Sequence, residues 1–319
     1  MEDMPKRLRP DGENMDNPRS RLSSVGFPLD AARFLWYNGK EKQRAGGSDM
    51  SIGRDKAYTV GFLGFGQMGS AIAEGLTRFC PGVSEGRIRM TAYAPHRDKL
   101  RASVGELPVT PCASAEELAD SCDLLLLAVK PYQAEAVAAG IRDRMAGKTV
   151  LSVVNAMGHG ELSRIFGPDV RLQYVMPNTP MRVGAGVALF EEENSLTEEE
   201  SAEAEALFAS LGLVIRLPGS QMQAAASLSG CGPAFFFMAA EALGDAGVKN
   251  GLKRADAYRL AAAVMTGAGR LLSETGAHPG ELKDGVCSPG GTTIRGVASL
   301  EQDGFRSAWI HAVDATLGK

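Results

Sequence analysis

The sequence predicts a doubly wound α/β domain followed by an all-helical region, and three observations carry that prediction. From Thr59 onward short apolar runs alternate with segments of helical periodicity. The first run, Thr59–Leu63, passes directly into Gly64-Phe65-Gly66-Gln67-Met68-Gly69, a glycine-rich turn that opens a helix. After Pro218 the strand-like runs stop and only helical candidates remain.

Composition narrows the function classes. At 319 residues, with 44% hydrophobic residues, the chain is long enough for two domains and a tail. The formal net charge of −4 and the acidic runs Glu191–Glu193 and Glu198–Glu200 argue against nucleic acid as a partner and favour a small-molecule substrate. Five scattered cysteines (Cys80, Cys112, Cys122, Cys231, Cys287) without CxxC spacing suggest neither a disulfide framework nor a metal site, and point to a reducing compartment such as the cytoplasm. The apolar run Leu124–Val129 is far shorter than the ~20 residues a spanning helix needs, so no membrane partner is expected.

In chain order, residues 1–56 are rich in Arg, Asp, Asn, Ser and Gly and read as a loosely ordered extension with one short helix at Leu29–Tyr37. A mitochondrial leader is the alternative; Glu2, Asp3, Asp11, Glu13 and Asp16 oppose it, because such leaders are poor in acids. Residues 57–217 form the expected dinucleotide-binding domain. Its strands are Thr59–Leu63, Arg87–Ala92, Leu124–Val129, Thr149–Val154 and Arg171–Val175, and its helices are Gln67–Arg78, Ala115–Ser121, Tyr132–Met145 and Glu198–Leu211. Thr197 and Glu200 form a capping box at the start of the last of these. Residues 218–319 contain helices at Pro233–Ala246, Ala255–Thr275, Pro279–Lys283, Thr292–Glu301 and Phe305–Thr316, with Gly247, Gly276 and Gly304 as stops. The Ala- and Gly-rich helix Ala255–Thr275 reads as buried on several sides, in a subunit interface or in an intramolecular core.

The GxGxxG stretch has strand before it and helix after it, the context in which this motif binds a dinucleotide. Gly64 permits the tight turn, Gly66 lets a pyrophosphate approach the backbone, and Gly69 lets helix and strand pack closely. Leu63, Phe65, Gln67 and Met68 complete that candidate cofactor turn. An NAD site usually carries a carboxylate at the end of the second strand, where this chain has Ala94-Pro95-His96-Arg97. Ala94, His96 and Arg97 therefore favour NADPH, with NADH still possible because Asp98 follows. Ala128-Val129-Lys130-Pro131, Asn155, and Asn178 with Thr179 in Met176–Pro180 should face the nicotinamide half; two of these stretches read equally well as ordinary proline turns.

A second candidate site is Leu282–Gly296, where Ser288-Pro289-Gly290-Gly291-Thr292-Thr293 precedes a helix. Glycines and hydroxyls there suit either an anion cradle or a plain helix N-cap after a Pro-Gly turn. His278, before Pro279-Gly280, reads as a cap or packing residue.

Taken together, GFGQMG, AVKP, MPNTP, Ser229–Ala234, His278–Asp284 and SPGGTTI resemble the pyrroline-5-carboxylate reductases over about Val60 to Val313. The resemblance implies a Rossmann-type sheet domain, a helical domain that interlocks into a homodimer or ring of dimers, and NAD(P)H-dependent reduction of 1-pyrroline-5-carboxylate to proline. It implies substrate contacts at Ser288, Gly290, Gly291, Thr292, Thr293 and Ser229, with Thr293 near the ring nitrogen as the catalytic candidate. A protonated cyclic imine accepts hydride without a strong protein acid, which suits a site of hydroxyls and backbone groups. A β-hydroxyacid dehydrogenase would want a lysine on Pro233–Ala246, which has none, and a catalytically silent NADP-binding protein would lack the loop threonines, which are present. Three positions depart from the family pattern: Tyr174 stands where an arginine is common, Ser152–Ala156 replaces a glycine-ended SxxAG, and Ala94 replaces a small hydroxyl residue.

Overall fold

The computed structural model describes residues 58–319; the expected extension and its helix Leu29–Tyr37 lie outside the described residues. The centre of the fold is an eight-stranded sheet, β1 (Tyr58–Leu63), β2 (Ile88–Tyr93), β3 (Val109–Pro111), β4 (Leu124–Leu127), β5 (Thr149–Ser152), β6 (Arg171–Pro177), β7 (Gly186–Asn194) and β8 (Gly212–Leu217). Their order is β3-β2-β1-β4-β5-β6-β7-β8. The first six run parallel; β7 pairs antiparallel to β6, and β8 runs parallel to β7. The winding reverses between β1 and β4, so the carboxyl ends of these two strands flank a crevice.

The helices of this part are α1 (Gln67–Phe79), α2 (Pro81–Ser84), α3 (Arg97–Val104), α4 (Ala115–Ser121), α5 (Pro131–Ile141), α6 (His159–Phe166) and α7 (Glu198–Ala209). They cover both sheet faces, which is why β4 is four consecutive buried leucines: Leu124 and Leu126 enter one core with Val60, Phe62 and Phe208, while Leu125 and Leu127 enter the other with Val150, Leu162 and Phe166. The capping box of Thr197 and Glu200 is present at the start of α7.

Beyond the expected elements lie α2, α3, β3, α6, β7 and β8. β7 ends in Glu191-Glu192-Glu193-Asn194, residues of low strand propensity, yet Glu191 is buried and its carboxylate accepts the His159 N–H at 2.7 Å. At the irregularity between Gln173 and Val175, the buried Gln173 amide donates to the carbonyls of Tyr174 and Glu191 at 2.8 and 2.9 Å, satisfying groups that the broken ladder leaves open.

The rest is helical: α8 (Gly219–Ala226), a π turn (Ser227–Cys231), α9 (Gly232–Lys249), α10 (Arg254–Thr275), α11 (Pro279–Gly285), α12 (Thr292–Gln302) and α13 (Phe305–Thr316). Gly247 does not stop α9. A Cβ there would lie 2.9 Å from that of Ala257, so the glycine serves close packing against α10, as Gly244 does against the Tyr258 ring, and α9 runs on to Lys249. Among the described residues α10 buries only Ala257 and Ala261, so part of its small-residue surface packs on α9 and the rest faces outward. Phe237, Met238, Leu260 and Val264 are all exposed on the same helix pair. The continuous helical run Gly219–Lys249 is long and apolar enough by composition to cross a membrane, and its most apolar stretch is almost wholly unburied among the described residues.

Candidate active site

The turn from β1 into α1 is shaped by three glycines with three different constraints. Gly64 has φ +93°, and a Cβ there would sit 2.6 Å from the Ala128 carbonyl oxygen. A Cβ on Gly69 would sit 2.7 Å from the Gly64 carbonyl oxygen. Gly66, the N-cap of α1, makes no side-chain cap, and a Cβ on it would enter open space in the crevice. The first N–H groups of α1 therefore face a concavity that any larger residue at position 66 would fill, as dinucleotide phosphates require.

Above this turn lies a cleft of about 620 Å³ at the carboxyl ends of β1, β2, β4, β5 and β6. It brings together Gly64, Phe65, Gly66, Gln67, Met68, Ala94, His96, Ala128, Val129, Lys130, Pro131 and Asn155. Three expected residues stand outside its lining. Leu63 is a core side chain, 1% exposed, whose carbonyl accepts the Ala128 N–H at 2.8 Å. Arg97 opens α3 but does not line the cleft; Lys99 and Ser103, one helical turn apart, line it with His96. The signal for them was the 3.6-residue period of α3, which puts positions 96, 99 and 103 on one face. Asn178 is 6% exposed and both ends of its amide are engaged: Nδ2 donates to the Ser229 carbonyl at 2.9 Å and Oδ1 accepts the Val187 N–H at 2.8 Å. From the same turn Met176, Pro177 and Thr179 line the cleft, while Asn178 lines the smaller recess beside it.

A second recess of about 350 Å³ adjoins the first and shares Met68, Asn155, Met176, Pro177 and Thr179 with it. Its far wall is helical: Gln223, Ala226, Ser227, Gly230 and Cys231 from α8 and the π turn, and Thr316 from α13. Ser229 is not in this wall; its hydroxyl donates to the Ala225 carbonyl at 3.0 Å while its own carbonyl receives Asn178.

The Ser288–Thr293 loop lines neither recess. Gly290 has φ +67°, the Gly291 N–H donates to the Ser288 carbonyl at 3.0 Å, and Gly291 N-caps α12 without a side-chain cap. Thr292 and Thr293, the first two residues of α12, are exposed, so this helix start holds both N–H groups and hydroxyls outward. His278 by contrast is a cap: its Nδ1 accepts the Gly280 N–H at 3.1 Å at the start of α11.

Residues 219–319 match the family described as pyrroline-5-carboxylate reductase dimerisation, and residues 59–156 match that described as NADP oxidoreductase coenzyme F420-dependent. A pyrroline-5-carboxylate reductase of Treponema pallidum is 40% identical over 264 residues, covering 81% of this chain and 98% of that one. The chain belongs to the pyrroline-5-carboxylate reductase family. The Escherichia coli reductase is 35% identical over 82% of this chain and 96% of its own length. Among solved structures, Plasmodium falciparum pyrroline carboxylate reductase with NADP bound is 31% identical, covers 81% of this chain and 95% of its own, and has a TM-score of 0.72. The match over 59–156 carries β1 to β5 and the glycine turn of the cleft, and the match over 219–319 carries the helical wall of the second recess.

Proposed function

We propose that this protein reduces the C=N bond of 1-pyrroline-5-carboxylate to give proline, the last step of proline biosynthesis, with NADPH as reductant. The observation that carries the reading is the sharing of five residues between the two recesses, which sets a dinucleotide cleft edge to edge with a smaller pocket walled by the helical part. Reduction of a small cyclic imine needs that adjacency and little else.

The parts proposed for the cleft residues are read from their places, and those for the Ser288–Thr293 loop from the family resemblance. The N–H groups at the start of α1 bind pyrophosphate over Gly66, and His96, Lys99 and Ser103 take the 2′-phosphate on the cleft rim. A bound nicotinamide supplies the hydride. Thr179, Met176 and Asn155 border the junction where the imine is reduced, and Met176 and Pro177 help keep water away from it. Ser288, Thr292 and the free N–H groups of α12 hold the carboxylate, and Thr293 orients the ring nitrogen, which arrives protonated.

Because Ser288–Thr293 is exposed and lines neither recess of its own chain, we assign its site to a second copy: the loop of one protomer closes the recess of its partner. The exposed apolar face of α9 and α10 supports the dimer this requires. The test of the reaction is NADPH consumption by the purified chain. Loss of NADPH with pyrroline-5-carboxylate, and none with a 2-keto acid or on reversal with a β-hydroxy acid, is expected; turnover of the acids alone would contradict the reading.

A further inference from the structure

The turn after β5 carries a backbone feature that the dinucleotide motif leaves unexplained. Ala156 has φ +57°, and it is the one non-glycine residue with positive φ among the described residues. Alanine resists this left-handed conformation because its Cβ crowds the following carbonyl, so something outside the turn must hold it there. Its side chain is exposed and the residue lines the second recess, while Asn155 just before it lines both recesses.

The hold comes from the neighbouring strand. Tyr174 on β6 pairs in register with Ser152, the last residue of β5, and is 5% exposed in the core beneath the turn. Its hydroxyl accepts the Ala156 N–H at 3.3 Å and is directed to the Met176 sulfur at 3.7 Å. Burial pushes the phenol above its usual range; the Ala156 N–H opposes this in part and the Glu191 carboxylate adds to it, so the hydroxyl keeps its proton throughout the working range. At the other end of the turn the Glu191 carboxylate accepts the His159 N–H, so residues 155–158 are pinned from two sides.

We propose that Tyr174 is a positioning residue of the cofactor cleft: its hydroxyl holds Ala156 in the left-handed conformation that presents Asn155 at the junction of the two recesses. Two of the three departures from the family pattern thus meet in one hydrogen bond. A glycine at position 156 would adopt that conformation unaided; an alanine needs the tyrosine. The inference rests on the assignment of this cleft to NADPH.

Five proteins test it: wild type, Tyr174→Phe, Ala156→Gly, the double variant of these two, and Ala156→Val, each titrated with NADPH and assayed for KM and kcat. Tyr174→Phe, which removes one oxygen and keeps the ring, should weaken NADPH binding roughly fivefold, the scale of one lost hydrogen bond. Ala156→Gly alone should bind as wild type does, and in the double variant glycine should restore affinity to within about twofold, a rescue that a purely structural role for Tyr174 does not provide. Ala156→Val, whose side chain stays exposed, should reproduce the loss with Tyr174 intact, because a β-branched residue avoids positive φ, and this variant carries the test should Tyr174→Phe fold poorly. Unchanged binding in Tyr174→Phe or Ala156→Val, or no rescue in the double variant, overturns the inference. Failure of the wild type to bind NADPH would instead overturn the cofactor assignment, and the inference with it.

Discussion

Asn178 and Ser229, 51 positions apart, are joined by a 2.9 Å hydrogen bond from Asn178 Nδ2 to the Ser229 carbonyl. That bond ties the end of β6 to the π turn between α8 and α9, where a widened turn frees a carbonyl from the helical ladder. With Asn178 Oδ1 on the Val187 N–H, one amide fastens the parallel sheet, its antiparallel extension and the helical wall of the second recess. Asn178→Ala leaves two backbone groups unpaired in a site 6% exposed, and is expected to cost about 1–3 kcal/mol in urea unfolding. In Asn178→Asp a carboxylate faces the Ser229 carbonyl and cannot donate until it is protonated. This variant should therefore be less stable near neutral pH than in mild acid, relative to wild type; equal deficits at both would remove the donor role.

The glycines of the first turn should separate fold from binding. Gly64→Ala forces a Cβ against the Ala128 carbonyl at φ +93° and is expected to destabilise the protein by about 1–3 kcal/mol or more. Gly66→Val places its branches in open space, so the thermal midpoint should hold within a few degrees while NADPH affinity falls at least about tenfold, as phosphates lose their approach to the α1 N–H groups. Parallel losses of stability and affinity in both variants would contradict the separation.

Recognition of the 2′-phosphate is expected from Lys99 more than from Arg97, because Lys99 lines the cleft rim and Arg97 does not. Lys99→Ala should raise KM for NADPH by about tenfold, on the scale of a lost charge-assisted hydrogen bond, and leave KM for NADH nearly unchanged. Arg97→Ala should do much less. Steady-state kinetics with both cofactors decide it, and a larger NADPH effect from Arg97→Ala would return the role to that residue.

Sequence patterning located the parallel sheet because the physics there is local: β4 announces itself as four leucines buried on both faces, and Gly64–Gly69 needs only its flanking strand and helix to be read. β7 was hidden because it runs into Glu191-Glu192-Glu193-Asn194, residues of low strand propensity. Glu191 is a buried acid in that strand, and its carboxylate is met by the N–H of His159 from across the fold. Asn178 shows the same limit at the site: a rigid turn between prolines was legible, but which of Asn178 and Thr179 faces the cleft depends on Ser229 and Val187, far along the chain. The Ser288–Thr293 loop was legible as a capped helix start, with Gly291 rather than a hydroxyl as cap. That it turns away from its own chain's recesses is a property of tertiary arrangement, which no local pattern encodes.

The central claim is a site built by two copies, the cleft from one and the Ser288–Thr293 loop from the other. Complementation tests it most directly. Gly66→Val disables the cleft and leaves the loop intact; a Thr292→Ala, Thr293→Ala double variant disables the loop and leaves the cleft intact, and each alone should lose most of its turnover of pyrroline-5-carboxylate. Co-expressed, the two chains form mixed dimers in which one site of two is whole, so about a quarter of wild-type activity per chain is expected from random pairing. Mixed dimers no more active than the two parents would contradict the claim and place the loop over its own chain's cleft.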